Sequence, residues 1–89
     1  MKMEVYMNNL VRSPDQIGNV VRQARKKLGL SQAKFGELSG LRQETVSLIE
    51  SGNPATRLDT ILNVLSVLEL EFRITSRTKG TDINIEDIF

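Results

Sequence analysis

Between Ser31 and Gly52 the sequence sets two short helical patterns end to end with almost no chain between them. Ser31 is an N-cap residue for Gln32 to Ser39, a stretch that carries Ala33, Phe35 and Leu38 on one face and stops at Gly40. After Gly40-Leu41 the next pattern starts at about Gln43, buries Val46 and Ile49, and ends at Gly52. Two such helices joined by a glycine-containing turn of three or four residues read as a helix-turn-helix. Gly36 lets the two helices approach closely, and Gly40 supplies the positive φ of the turn. Phe35, Leu41, Val46 and Ile49 fill the wedge between them. Arg42, Gln43, Glu44 and Ser47 remain outside, in the N-terminal turns of the second helix, the part that a recognition helix presents to base edges in the major groove.

The flanking sequence supplies two longer helices. Ser13-Pro14-Asp15-Gln16 is a helix start: a serine N-cap, proline at the first helical position, an acid in the first turn and glutamine at the capping-box position. Ile17, Val20, Val21, Ala24 and Leu28 recur at helical spacing, Arg25, Lys26 and Lys27 lie in the last turn, and Gly29 is the C′ residue, so this helix runs to about Leu28. Asn53-Pro54-Ala55 breaks the chain. Thr56 with Asp59 is the expected cap of a last helix whose core stripe is Leu58, Ile61, Leu62, Leu65 and Leu68. Val64 and Val67 fall outside that stripe, so the helix is apolar around most of its girth and needs cover for a second face. A dimer interface is the favoured cover, with the N-terminal segment as the alternative.

Leu70, Phe72 and Ile74 alternate with Glu71, Arg73 and Thr75, the period of a half-buried strand. A lone strand leaves its backbone groups unpaired. Its partner is either Met3 to Met7 or, preferred here, the same strand of a second subunit across a two-fold axis. Val64, Val67, Leu70, Phe72 and Ile74 are therefore the expected dimerisation residues. Residues 1–75 read as one folding and dimerising domain, and 76–89 as a flexible tail.

Composition narrows the function. At 89 residues, 39% apolar and 26% charged, the chain makes one small domain. It has neither cysteine nor histidine, which removes thiolate nucleophiles, disulfides and the commonest general base and metal ligand. The remaining carboxylates and lysines form no pair in an apolar pocket, so neither an enzyme, a metal site nor a cofactor is expected. No apolar run approaches the roughly 20 residues that span a bilayer, and Met1 to Tyr6 lacks a signal-peptide core, which places the chain in the cytoplasm. Residues 1–52 carry 8 basic and 5 acidic groups, while residues 53–89 carry 4 basic and 6 acidic. That asymmetry suggests two partners. Arg22, Arg25, Lys26 and Lys27 form the densest basic cluster, either a solvated helix face or a phosphate-binding one.

The stretch Gln32 to Glu50, with Ser51-Gly52 and the helix at 58–68, resembles the Xre/Cro helix-turn-helix family over residues 14–70. The strand-like segment directly after the last helix, and a short tail ending in an aromatic, make it similar to the HipB antitoxins of HipA kinases. The resemblance implies an all-α, lambda-repressor-like bundle of four to five helices with one C-terminal β-strand paired across a dimer. It also implies a homodimeric repressor that binds an inverted-repeat operator over its own operon and holds a HipA-like serine/threonine kinase toxin. Arg42, Gln43, Glu44, Thr45 and Ser47 match base-reading positions, Gln32 and Ala33 match the helix start near the phosphates and first bases, and Arg22, Arg25 and Lys26 supply phosphate attraction. Glu44 departs from the pattern, because a carboxylate there repels phosphate and accepts chiefly from a cytosine amino group or from Arg42. Family members insert an aromatic terminus into the toxin; Phe89, with Ile88 beside it, stands at that position here, without the indole hydrogen-bond donor of tryptophan. The competing readings are a stand-alone regulator without a toxin and a mainly protein-binding module that keeps the helix-turn-helix as scaffold.

Overall fold

The computed structural model describes residues 10–77, which form four helices: α1 (Pro14–Lys27), α2 (Gln32–Ser39), α3 (Gln43–Glu50) and α4 (Leu58–Val67). The first two start where the sequence marks them. The Ser13 side chain accepts from the Gln16 amide at 3.2 Å and the Ser31 side chain from the Lys34 amide at 3.0 Å. Gln16 also reaches back, its side-chain oxygen accepting from the amide of Arg12, one residue before the cap. The end of α1 is a Schellman turn through Gly29, with the Leu30 amide donating to the Arg25 carbonyl at 3.2 Å.

α4 starts differently from the expected cap. Its N-cap is Arg57, without a side-chain capping bond, because the Thr56 hydroxyl donates instead to the Asn53 carbonyl at 3.1 Å. Asp59 pairs sideways with Arg57 at 3.1 Å. The helix closes on Glu69 at φ 61, a left-handed residue that lets the Leu70 amide reach the Leu65 carbonyl at 2.8 Å.

α3 packs against both α1 and α2, and α2 also meets α4. The core is built from Val21 and Ala24 of α1, Phe35 of α2, Val46 and Ile49 of α3, and Ile61, Val64 and Leu65 of α4 with Leu68 beyond it. Each large side chain buried here contributes about 1.5–3 kcal/mol by leaving water. α1 and α3 touch at the backbone: a Cβ on Gly18 would lie 2.6 Å from the carbonyl oxygens of both Ile49 and Glu50. Only glycine fits there.

The inward faces differ from the sequence pattern in three helices. Val64 is fully buried within the single chain and Val67 is half-buried against the same core, whereas Leu58 and Leu62 of the expected stripe are exposed. Val64 is therefore a core residue rather than part of a dimer face. A helix apolar on most sides has no single preferred face, and its neighbours choose one. Leu28 is likewise exposed, because it stands at the C-cap where the helix ends, and Leu30 turns inward in its place. Leu38 of α2 is also exposed.

Residues 71–77 form no strand in the single chain. Leu70 packs on the core, while Phe72, half exposed, lines a shallow apolar groove of about 200 Å³ with Pro14, Ile17, Ile49, Leu58 and Ile61. Ile74 is almost fully exposed. The backbone of an isolated strand has nothing to pair with, so this segment stays irregular without a partner. The strand considered at Met3 to Met7 and the tail residues Ile88 and Phe89 lie outside the described residues.

Candidate nucleic-acid interface

α2 and α3 are joined by a turn that meets each requirement read from the sequence. Gly40 adopts φ 73 at the C-cap of α2, and the Leu41 amide donates to the Gly36 carbonyl at 2.8 Å. A Cβ on Gly36 would sit 2.7 Å from the Leu41 carbonyl oxygen, so the glycine permits the turn to fold back over α2. Phe35, Val46 and Ile49 are buried in the wedge, with Leu41 at its edge.

That inward anchoring determines what α3 shows to solvent. Arg42 is the N-cap residue, and its side chain, with those of Gln43, Glu44 and Ser47, is exposed on the outer face. Thr45 is half-buried. The cluster holds two long side chains with bidentate hydrogen-bonding ends, Arg42 and Gln43, side by side at the start of a helix. Such ends match guanine O6 and N7 or adenine N6 and N7 in the major groove.

α3 is clamped at its far end by a buried polar cluster that the sequence reading missed. Arg25 donates to Glu50 through Nε at 2.6 Å and Nη2 at 3.0 Å, and through Nη1 to the Leu30 carbonyl at 2.7 Å. Both side chains are under one-tenth exposed. The hydrogen bonds it donates to Glu50 hold the Arg25 guanidinium above its ordinary pKa against the opposing effect of burial. Gln32 joins the cluster, its Nε2 donating to Glu50 Oε1 at 3.1 Å. The carboxylate at the end of α3 thus ties together the last turn of α1 and the first residue of α2, and Arg25 in turn holds the loop between those two helices.

This corrects one expectation and refines another. Arg25 is withdrawn from the basic cluster, because its charge is spent on Glu50; Arg22 and Lys26 remain exposed on α1. Gln32 stands half-buried at the C-terminal end of α3, about 10 Å along that eight-residue helix from Gln43. Ala33 beside it is exposed. A signal for the clamp was present: Glu50 lies four residues after Val46 and next to Ile49, on the inner side of α3, and a carboxylate placed inward needs a cation. Among the described residues no group of acidic side chains is arranged to hold a metal ion, and no helix is long and apolar enough to cross a membrane.

Residues 21–74 match the helix-turn-helix family HTH_3, an extent that takes in the clamp, the turn, the exposed face of α3 and all of α4. The chain belongs to this Xre-type family. The HTH_3 domain is also similar to solved HipB structures. A serine-to-alanine variant of HipB in complex with an O2 20mer is 28% identical, with TM-score 0.72, covering 79% of this chain and 97% of its own. A chain of a HipA–HipB–O2–O3 complex is 30% identical, with TM-score 0.70, covering 79% of this chain and 99% of its own. A HipB–O4 20mer complex is 27% identical at TM-score 0.72, with coverage of 79% and 99%. No curated protein matches the chain by sequence at a significant level.

Proposed function

We propose that this HTH_3 protein is a sequence-specific DNA-binding repressor that acts as a HipB-like antitoxin, regulating its own operon and binding a HipA-like serine/threonine kinase. The observation that carries the DNA half is the exposed polar face of α3, Arg42, Gln43, Glu44 and Ser47, on a helix whose other end is locked by Arg25 and Glu50. Arg42 and Gln43 read bases there, Thr45 and Ser47 add shorter contacts, Ala33 and Gln32 approach the backbone, and Arg22 and Lys26 supply phosphate attraction. The likeness to HipB structures solved with 20mers and with HipA supports the wider reading.

The working form in this proposal is a homodimer on an inverted repeat. Leu70, Phe72 and Ile74 pair with the same segment of a second copy, giving the strand its missing hydrogen bonds and covering an isoleucine that one chain leaves bare. Residues 1–75 form the DNA-binding and dimerisation domain. The tail, 76–89, carries Ile88 and Phe89 to the kinase. No catalytic group or cofactor takes part, and the site of action is the cytoplasm.

Two measurements test the two halves. Fluorescence anisotropy with duplexes from upstream of the gene should show tight binding that weakens steeply with salt. Affinity purification from cells that also express the adjacent reading frame should recover a kinase-like partner with the full-length chain and much less with residues 81–89 deleted. Salt-insensitive or absent duplex binding refutes the repressor reading; recovery unaffected by truncation moves the kinase contact to the folded body.

A further inference from the structure

The outer face of α3 carries one residue that the base-reading set does not use. Leu48 is 52% exposed, although its neighbours Val46 and Ile49 are 0% and 2% exposed and fill the core. It lies four residues after Glu44 and one after Ser47, so it continues the row of side chains that α3 turns outward. The other fully outward positions of the helix, Gln43, Glu44 and Ser47, are all polar. Along the helix axis Leu48 is about 6 Å beyond Glu44, close to two base steps of roughly 3.4 Å each.

The chemistry of an isobutyl group leaves few partners. It donates and accepts nothing, and the major groove is lined by hydrogen-bonding edges apart from one apolar feature, the C5-methyl group of thymine. Set against a guanine, adenine or cytosine edge, or against a phosphate, Leu48 would strip water from a polar group and return no bond. Set against a thymine methyl, it buries apolar surface on both sides. We propose that Leu48 is a specificity residue that selects thymine, by contact with its C5-methyl group, about two base pairs beyond the position faced by Glu44. The inference rests on the DNA-reading role proposed for α3.

The test starts from fluorescein-labelled duplexes that the full-length protein enriches from a randomised library, and it separates the two claims. Thymines in the enriched duplex are replaced one at a time by deoxyuridine, which removes the methyl and keeps every hydrogen-bonding group. At one position in each half-site the wild type should lose about fourfold in affinity, the worth of one buried methyl group. Leu48→Ala should bind the thymine duplex more weakly and show no further loss with deoxyuridine at that position. Wild-type binding that is indifferent to every deoxyuridine overturns the role of Leu48 while leaving the repressor reading intact. So does a loss at the same position that persists undiminished in Leu48→Ala. Failure to enrich any duplex overturns both.

Discussion

Replacing Glu50 by alanine tests what holds the reading helix in place. The substitution removes both bonds from Arg25, at 2.6 and 3.0 Å, and the bond from Gln32 at 3.1 Å, and strands a guanidinium that is under one-tenth exposed. Breaking a buried pair by removing one partner costs about 3–5 kcal/mol. Two features put Glu50→Ala at the low end: Arg25 keeps its bond to the Leu30 carbonyl, and the domain is small enough that water lies close by. About 3 kcal/mol is expected, which for a domain of this size lowers Tm by roughly 12–24 °C. Urea unfolding followed by circular dichroism at fixed protein concentration, so that any self-association contributes equally, measures the loss. The companion variant combines Arg25→Met with Glu50→Leu. With both charges gone no ion is stranded, so this double variant should recover most of the stability. It also frees Gln32 from its anchor, so operator affinity should stay below wild type although the fold returns. A Glu50→Ala protein within about 0.5 kcal/mol of wild type, or a double variant no more stable than the single one, would refute the account of the clamp.

Three further outcomes are expected. Arg42→Ala or Gln43→Ala should cost about 1–3 kcal/mol of operator binding and relax preference at one base position, whereas Lys26→Ala should weaken binding to all sequences and flatten the salt slope by about one unit; competition titrations at several salt concentrations distinguish them. Gly18→Ala forces a methyl against two carbonyl oxygens at 2.6 Å and should destabilise by about 1–3 kcal/mol in urea, more than alanine's helix propensity returns. Sedimentation of the wild type at micromolar concentration should give twice the monomer mass, and Ile74→Asp, which charges the most exposed large hydrophobic side chain among the described residues, should shift it to monomer without lowering helix content.

How far the sequence alone reaches is set by the range of the interactions concerned. Ser13, Ser31, Gly29 and Gly40 mark helix ends through bonds that close within three to five residues, and all four stand in the structure where the sequence places them. The turn between α2 and α3 is local in the same sense, and with it the outward direction of Arg42, Gln43, Glu44 and Ser47, because Val46 and Ile49 leave the helix only one way to face. The cap of α4 was misread within the same range, because the Thr56 hydroxyl had a second local acceptor in the Asn53 carbonyl.

Tertiary structure decided the rest. Glu50 meets Arg25 across 25 residues and Gln32 across 18; the helical period turns Arg25 inward, four residues after Val21, but nothing local along the chain says which distant group it meets there. The buried face of α4 was equally undetermined, since Leu58, Leu62, Val64 and Leu65 are all apolar; packing against the rest of the bundle selected Val64 and Leu65 and left the other two in water. Alternation at residues 70–74 records a capacity to pair, and a strand exists only where another backbone supplies the bonds.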